Sequence, residues 1–255
     1  MTERPAYSSF AWAYDIVIEG ATKPRIDFIV GELRARHVNP EGFILDAGCG
    51  TGSYSIALAQ QGFRVCGFDS SSLLLRQAEQ KIRQEFKDRI RFVEEDLRAS
   101  NNNLRGDAIL CRGVLGDLIS RDERQNIIEK FATILGPSRG TLLLDVRNWE
   151  TTRGFLPIHW QRSYKTSRGT LAFEQKIESS TIHQQVLEVR EKHSIPSENG
   201  DQSTEHQSYL YAYTPSEIKE LLSAAGFANI ILRGGYAKAS EPNTTPWLVA
   251  TASIP

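Results

Sequence analysis

Cysteine is scarce in this chain: Cys49, Cys66 and Cys111 are three in 255 residues, and no two stand at the spacing of a zinc knuckle. A disulfide framework is therefore not expected, and each thiol sits in or beside an apolar, strand-like run where a reduced, mostly buried state is expected. Histidine is nearly as thin, with five scattered residues and no pair at ligand spacing, so no metal is expected. Charge of one sign is missing too. Thirty basic residues stand against 31 acidic ones for a net charge of -1, which removes the global field that would favour nucleic acid or an anionic membrane. No apolar run approaches the length of a bilayer span, and Met1 leads into Thr2-Glu3-Arg4-Pro5 rather than a basic region and an apolar stretch. The expectation is a cytoplasmic protein with no membrane and no nucleic-acid partner. Internal repeats and low-complexity linkers are also absent, leaving only a short polar stretch from Ala99 to Asn103. What remains is 40% hydrophobic and 24% charged, enough for one substantial core or one core with an attached lobe.

Between Phe43 and Asn148 short apolar runs alternate with longer helical patterns. FILDAG precedes a helical stretch from Ser53 to Gln61 that stops at Gly62, and RVCGFD follows. In SSSLLLRQAEQKIRQEF, Leu74, Ala78, Ile82 and Phe86 recur every four residues behind a capping Ser70 to Ser72, which predicts one amphipathic helix through Phe86. IRFVEED and DAILCRG read as strands, RDERQNIIEKFATIL as a helix closed by Gly136-Pro137, and GTLLLDVRN as a fifth strand. Strands separated by helices imply crossovers, hence parallel neighbours with helices on both faces.

The rhythm changes after Asn148. From His159 to Tyr213 the runs are β-branched and aromatic, with turn residues at Ser167-Arg168-Gly169 and Glu198-Asn199-Gly200-Asp201, predicting a small antiparallel sheet. Thr214, Pro215 and Glu217 then open a capped helix that ends at Gly226, and NIILRGG and PWLVATA close the main sheet. The front, Tyr7 to Val38, reads as mostly helical. The expected fold class is thus α/β: a Rossmann-like, mostly parallel seven-stranded sheet with helices on both faces, plus an antiparallel β insertion after strand 5. Its expected divisions are a helical cap over 1–40, a cofactor-binding core over 41–150, the insertion over 151–213 as a lid, and the last helix and closing strands over 214–255.

FILDAGCGTGSYSIAL sets Gly48, Gly50 and Gly52 between a strand and a helix, a turn bare enough for a ligand to touch the backbone near the helix N-H groups. A dinucleotide site wants G-x-G-x-x-G, but its third glycine would fall on Ser53, and Gly52 comes one residue early. DAGCGTG instead spells G-x-G-x-G.

That tighter loop resembles the class I S-adenosylmethionine-dependent methyltransferase superfamily, over roughly residues 41 to 150 and the two terminal strands. The likeness implies that Asp69, closing VCGFD, meets the ribose hydroxyls, and that Asp96 in EEDLR meets the adenine amino group with Leu97 near the base. DAILCRGVLGDL and LGPSRGTLLLDVRNW are similar to the superfamily's fourth- and fifth-strand segments. S-adenosyl-L-methionine is the implied cofactor, and Asp46, Gly48, Cys49, Gly50, Gly52, Asp69, Ser70, Asp96, Leu97 and Arg112 are its implied binding residues. Plainer roles stay open: Asp46 as a packing or capping residue, Asp69 as a helix cap, and Glu94 or Glu95 in place of Asp96. Cys49 has no base beside it in sequence and reads as a small filler rather than a nucleophile.

The acceptor is narrowed by another absence. Nucleic-acid amino methyltransferases of this type carry [N/D/S]-P-P-[Y/F] after the fourth strand, where this chain reads CRGVLGD. A catechol-type magnesium site is hinted at only by Asp145 with Asn148. FAWAYDIVIEG, with its Tyr14-Asp15, DVRNWE and the insertion together resemble the glycine/sarcosine N-methyltransferase type and related amino-sugar enzymes. This implies methyl transfer to a small molecule, at nitrogen. An O-methyltransferase acting on a hydroxylated metabolite and a non-catalytic cofactor-binding module stay open, and a hydroxyl acceptor would call on a base such as His159 or His206. Tyr209, Tyr211 and Tyr213 alternate in YLYAY, so a strand would point all three to one face. Tyr14, Arg112 and Tyr211 are therefore the candidate catalytic residues, under a lid formed by the insertion. Oligomeric state is not indicated.

Overall fold

Seven of the apolar runs pair into one sheet: β1 (Phe43–Ala47), β2 (Arg64–Asp69), β3 (Ile90–Glu94), β4 (Ala108–Arg112), β5 (Thr141–Arg147), and the closing strands Ala228–Gly234 and Trp247–Ser253. The computed structural model describes residues 5–18, 22–99, 104–136, 139–196 and 202–255. Most of the polar stretch ending at Asn103, Pro137-Ser138, Glu19-Gly20 of the front motif and the turn Glu198 to Asp201 lie outside them.

The insertion is a separate four-stranded antiparallel meander of β6 (Ile158–Thr166), β7 (Gly169–Ser179), β8 (Val186–Ile195) and β9 (Gln202–Tyr211). The closing strands are therefore β10 and β11, and the main sheet runs β3-β2-β1-β4-β5-β11-β10, with β11 antiparallel to both neighbours. Helices in chain order are α1 (Tyr14–Val17), α2 (Lys23–Ala35), α3 (Ser53–Gln60), α4 (Ser72–Gln80), α5 (Arg121–Leu135), α6 (Trp149–Thr152) and α7 (Pro215–Ala224).

Strand residues alternate between two cores. Ile44, Val65, Leu110 and Leu143 pack under α2 and α3, whereas Leu45, Cys66, Ile109 and Leu144 pack under α5 and α7. Both faces are covered, which is why these strands read as continuous apolar runs. Thr214 and Glu217 make the expected capping box, with Pro215 at the first helical turn. The long helix expected through Phe86 is corrected: α4 stops at Gln80, and residues Gln84–Arg89 form a 3-10 turn. Leu74 and Ala78 are buried, but Ile82 and Phe86 pack against the core under α2 and α3, which a straight continuation of α4 would not serve.

The chain order reverses between β1 and β4, so the loops after these strands diverge and leave a crevice at their carboxyl ends. The front segment crosses it. Phe10, Ala13 and Val17 pack on Leu171, Phe173 and Ile195 of the second sheet. On the other side Ser71 Oγ donates to Tyr7 O (2.8 Å), Gln77 Nε2 to Ala11 O (2.8 Å) and Lys81 Nζ to Asp15 (2.7 Å). Among the described residues no helix is long and apolar enough to cross a membrane.

Candidate functional site

The loop after β1 turns three times through left-handed glycines, at φ 74° for Gly48, 55° for Gly50 and 70° for Gly52. It is closed against β2 by Gly48 N and Cys49 N, which both donate to Phe68 O (2.8 and 2.9 Å). A methyl group on Gly52 would stand 2.4 Å from the Phe92 ring, whereas at Gly50 the nearest atom is Tyr14 Oη at 3.4 Å. Gly52 is thus demanded by packing and backbone together. Gly50 is demanded by its backbone and lies beneath Tyr14.

Two carboxylates flank this loop. Asp69 accepts from Gly50 N (2.8 Å) and Ser71 N (2.9 Å), fixing the loop to the end of β2. Burial still holds it above the ordinary carboxylate value, because the two backbone donors offset the desolvation only in part. Asp46 is fully buried and accepts from Ser55 Oγ (2.6 Å). Burial pushes its pKa up to about 6, against the opposing pull of Ser55 and Arg112. A carboxyl so placed calls for a cation. The Cys49 thiol is driven far up by burial and the nearby Asp46, which disfavours its thiolate.

A cleft of about 680 Å³ opens from the loop, bounded by the ends of β4 and β5, the front segment and the inner face of the second sheet. Arg112 is its best-anchored cation. Its Nε donates to Tyr236 Oη (2.6 Å) and stands 3.4 Å from Asp145 Oδ2, and its guanidinium lies 3.6 Å over the Tyr54 ring. Tyr236 donates in turn to Asp145 Oδ2 (2.5 Å), whose other oxygen accepts from Gly113 N (2.7 Å). Burial alone works against the Arg112 charge, yet Asp145, Tyr236 and Tyr54 hold its pKa above the ordinary arginine value. Arg147, at the end of β5, has burial without such compensation: its pKa is lowered and its Nε is buried with no hydrogen-bond partner.

The cleft brings together Tyr14, Asp46, Gly48, Cys49 and Arg112 of the residues expected from sequence. Gly50 and Gly52 of the same loop, Asp69, which accepts from Gly50 N, and the exposed Ser70 do not line it. Asp96 and Leu97 also stand apart: Asp96 is held below the ordinary carboxylate range by hydrogen bonds from Arg98, and Leu97 O accepts from Lys130 Nζ (2.7 Å).

Tyr211 requires a correction. Register puts Trp160, Gln175, Glu191 and His206 on the face toward the cleft, so Tyr209 and Tyr211 lie on the other face. Tyr211 Oη donates to Glu217 Oε1 (2.8 Å) under the guanidinium of Arg124, and burial followed by Glu217 raises its pKa to about 12. Tyr213 lies beyond β9 and donates to Leu115 O (2.9 Å). None of the three lines the cleft. His159, on the outward face, pairs with Glu174 (2.9 Å).

Sequence reasoning missed Tyr236, Tyr54, Trp160, Arg162 and Gln175, all of which line the cleft. Asp145 carried a signal, as an acid inside the apolar run LLLDV, and Gly234-Gly235-Tyr236 another, as a glycine turn after a strand.

Residues 44–138 match the family described as Methyltransferase domain. The glycine/sarcosine N-methyltransferase of Halorhodospira halochloris is 33% identical over 135 residues, which are 52% of this chain and 48% of that protein. This chain thus spans about half the length of that relative. Among solved structures, an S-adenosylmethionine-dependent methyltransferase from Clostridium acetobutylicum aligns over 98% of this chain and 99% of its own at TM-score 0.79 and 18% identity. The amino pentose methyltransferase CalS10 from Micromonospora echinaspora aligns over the whole of both chains at TM-score 0.70 and 18% identity. At such identities the structural likeness speaks for the fold.

Proposed function

We propose, from the premise that the chain belongs to the class I S-adenosylmethionine-dependent methyltransferases, that it transfers a methyl group to the nitrogen of a small amine that also carries an anionic group. The cofactor supplies a methyl already activated on a sulfonium, so the reaction asks of the protein mainly orientation and exclusion of water. The observation that carries the reading is the bare glycine turn flanked by Asp46 and Asp69 and opening directly into the cleft.

The chain's groups divide the work. Asp69 retains lone pairs for a diol after fixing Gly50, and Asp46, buried and short of a cation, suits the cofactor's ammonium. Gly50 leaves the backbone open beneath Tyr14, and the front segment, anchored on the second sheet and on α4, screens the crevice from water. Arg147 brings a desolvated, unmatched guanidinium to the cleft, which fits a carboxylate on the acceptor.

Nitrogen is favoured over oxygen because a neutral amine needs no strong base. No histidine lines the cleft among the described residues, and Asp145 is committed to Tyr236 and Gly113. The named function of the Halorhodospira relative agrees with this choice. The test is a screen of amines, amino acids and phenols with the purified chain, read as release of S-adenosylhomocysteine. Turnover with carboxylated amines supports the reading, and turnover confined to phenols, or none at all, contradicts it.

A further inference from the structure

Among the described residues four arginines line the cleft, Arg25, Arg112, Arg147 and Arg162, and their charges are not balanced alike. Arg112 is matched by Asp145, and Asp15, the one acid of the front segment that lines the cleft among the described residues, is taken by Lys81 (2.7 Å). Asp46 bears its charge only above about pH 6. Arg147 and Arg162 form no ion pair among the described residues. Each instead lies against a tryptophan of the same cleft: Arg147 is 5.0 Å from the Trp247 ring and Arg162 5.2 Å from the Trp160 ring. Stacking on a ring engages the face of a guanidinium and leaves its edge donors available to an anion.

The two arginines stand on different walls. Arg147 ends β5 beside Trp247 of β11, in the main sheet. Arg162 lies in β6, on the same face as Trp160 and two residues along. That second platform is oriented from behind: Trp160 Nε1 donates to Gln175 Oε1 (3.1 Å), and Gln175 Nε2 donates to the buried Glu191 Oε1 (2.9 Å). The insertion therefore presents a positioned cation across the cleft from the one on the main sheet.

We infer that the acceptor carries two negative charges, one met by Arg147 and the other, a second carboxylate or a phosphate, met by Arg162. This rests on the proposed methyl transfer in the same cleft. Arg162 is then the specificity residue that the insertion contributes, separating dianionic amines from simple amino acids by an interaction the smaller acceptors cannot make.

The experiment uses the full chain saturated with S-adenosylhomocysteine, so that the cofactor's own carboxylate already has its partners, and titrates acetate, succinate and 3-phosphonopropionate by calorimetry. Succinate or 3-phosphonopropionate should bind at least about tenfold tighter than acetate, through the second charge-assisted contact. The tighter of the two identifies the second group as carboxylate or phosphate. Arg162→Gln should bring that preference below about twofold with the thermal midpoint unchanged, since Arg162 is exposed at the rim. Turnover with glutamate against glycine, in parallel, should favour the dianionic amine and lose that preference in the variant. Equal binding of acetate, succinate and 3-phosphonopropionate, or a preference untouched by Arg162→Gln, overturns the inference. A binding preference without turnover on any amine leaves the dianion site standing and removes the transfer reading instead.

Discussion

Replacing Asp46 by asparagine isolates the price of keeping a buried acid at the cofactor loop. The carboxyl is fully buried, accepts from Ser55 Oγ at 2.6 Å, and its pKa is raised from 3.8 to about 6. A group whose pKa is higher in the folded state favours folding most below its unfolded value, and that contribution is lost as pH rises through the folded value. Between pH 3.8 and about 6 the folded state therefore loses stability, and at ~1.36 kcal/mol per pH unit the loss above pH 6 reaches ~3 kcal/mol. Asparagine keeps an oxygen for Ser55 and has no charge to desolvate. Without cofactor, Asp46→Asn should exceed the native chain in unfolding free energy by ~3 kcal/mol at pH 8 and match it near pH 4, in urea titrations at both values. With S-adenosylmethionine the order should reverse in binding, the variant losing ~1.5–3 kcal/mol of affinity if Asp46 holds the cofactor's ammonium. A variant no more stable than the native chain at pH 8 would refute the reasoning, because it would mean that Arg112 and Ser55 already offset the burial of the charge.

Tyr236→Phe removes the hydroxyl between Arg112 and Asp145, and acceptor KM should rise several-fold while cofactor affinity holds, in steady-state kinetics beside calorimetry. Arg112→Lys keeps the charge but loses the planar contact with Tyr54 and the Nε bond to Tyr236, and turnover should fall at least tenfold, by about 1.4 kcal/mol or more in barrier. Tyr211→Phe should cost about 1.5 kcal/mol of stability through its lost bond to Glu217 and leave turnover unchanged, so a kinetic defect in a stable variant would return Tyr211 to the acceptor site.

The main sheet was legible because its strands are buried on both faces, and Ile44 and Leu45 belong to cores on opposite sides. The glycine turn and the acid ending β2 were legible because backbone geometry at Gly50 and Gly52 restricts the residue types there. Helix length was not: Ile82 and Phe86 keep the period of Leu74 and Ala78, yet serve a different core. The face of Tyr211 was not legible either. Alternation shows that Tyr209 and Tyr211 share a side, but only pairing with β8 decides which side, and one residue of register would exchange them with Leu210. Tyr236, Trp160 and Gln175 come from separate strands and loops, and no local pattern marks their convergence.

The most direct test of the central claim, that the glycine turn holds S-adenosylmethionine, is a calorimetric titration of the full chain and of Asp69→Ala with S-adenosylmethionine and with NADH. The account predicts binding of S-adenosylmethionine, weakened by ~1.5–3 kcal/mol in the variant as charge-assisted hydrogen bonds are lost. Tight binding of NADH with none of S-adenosylmethionine would contradict it.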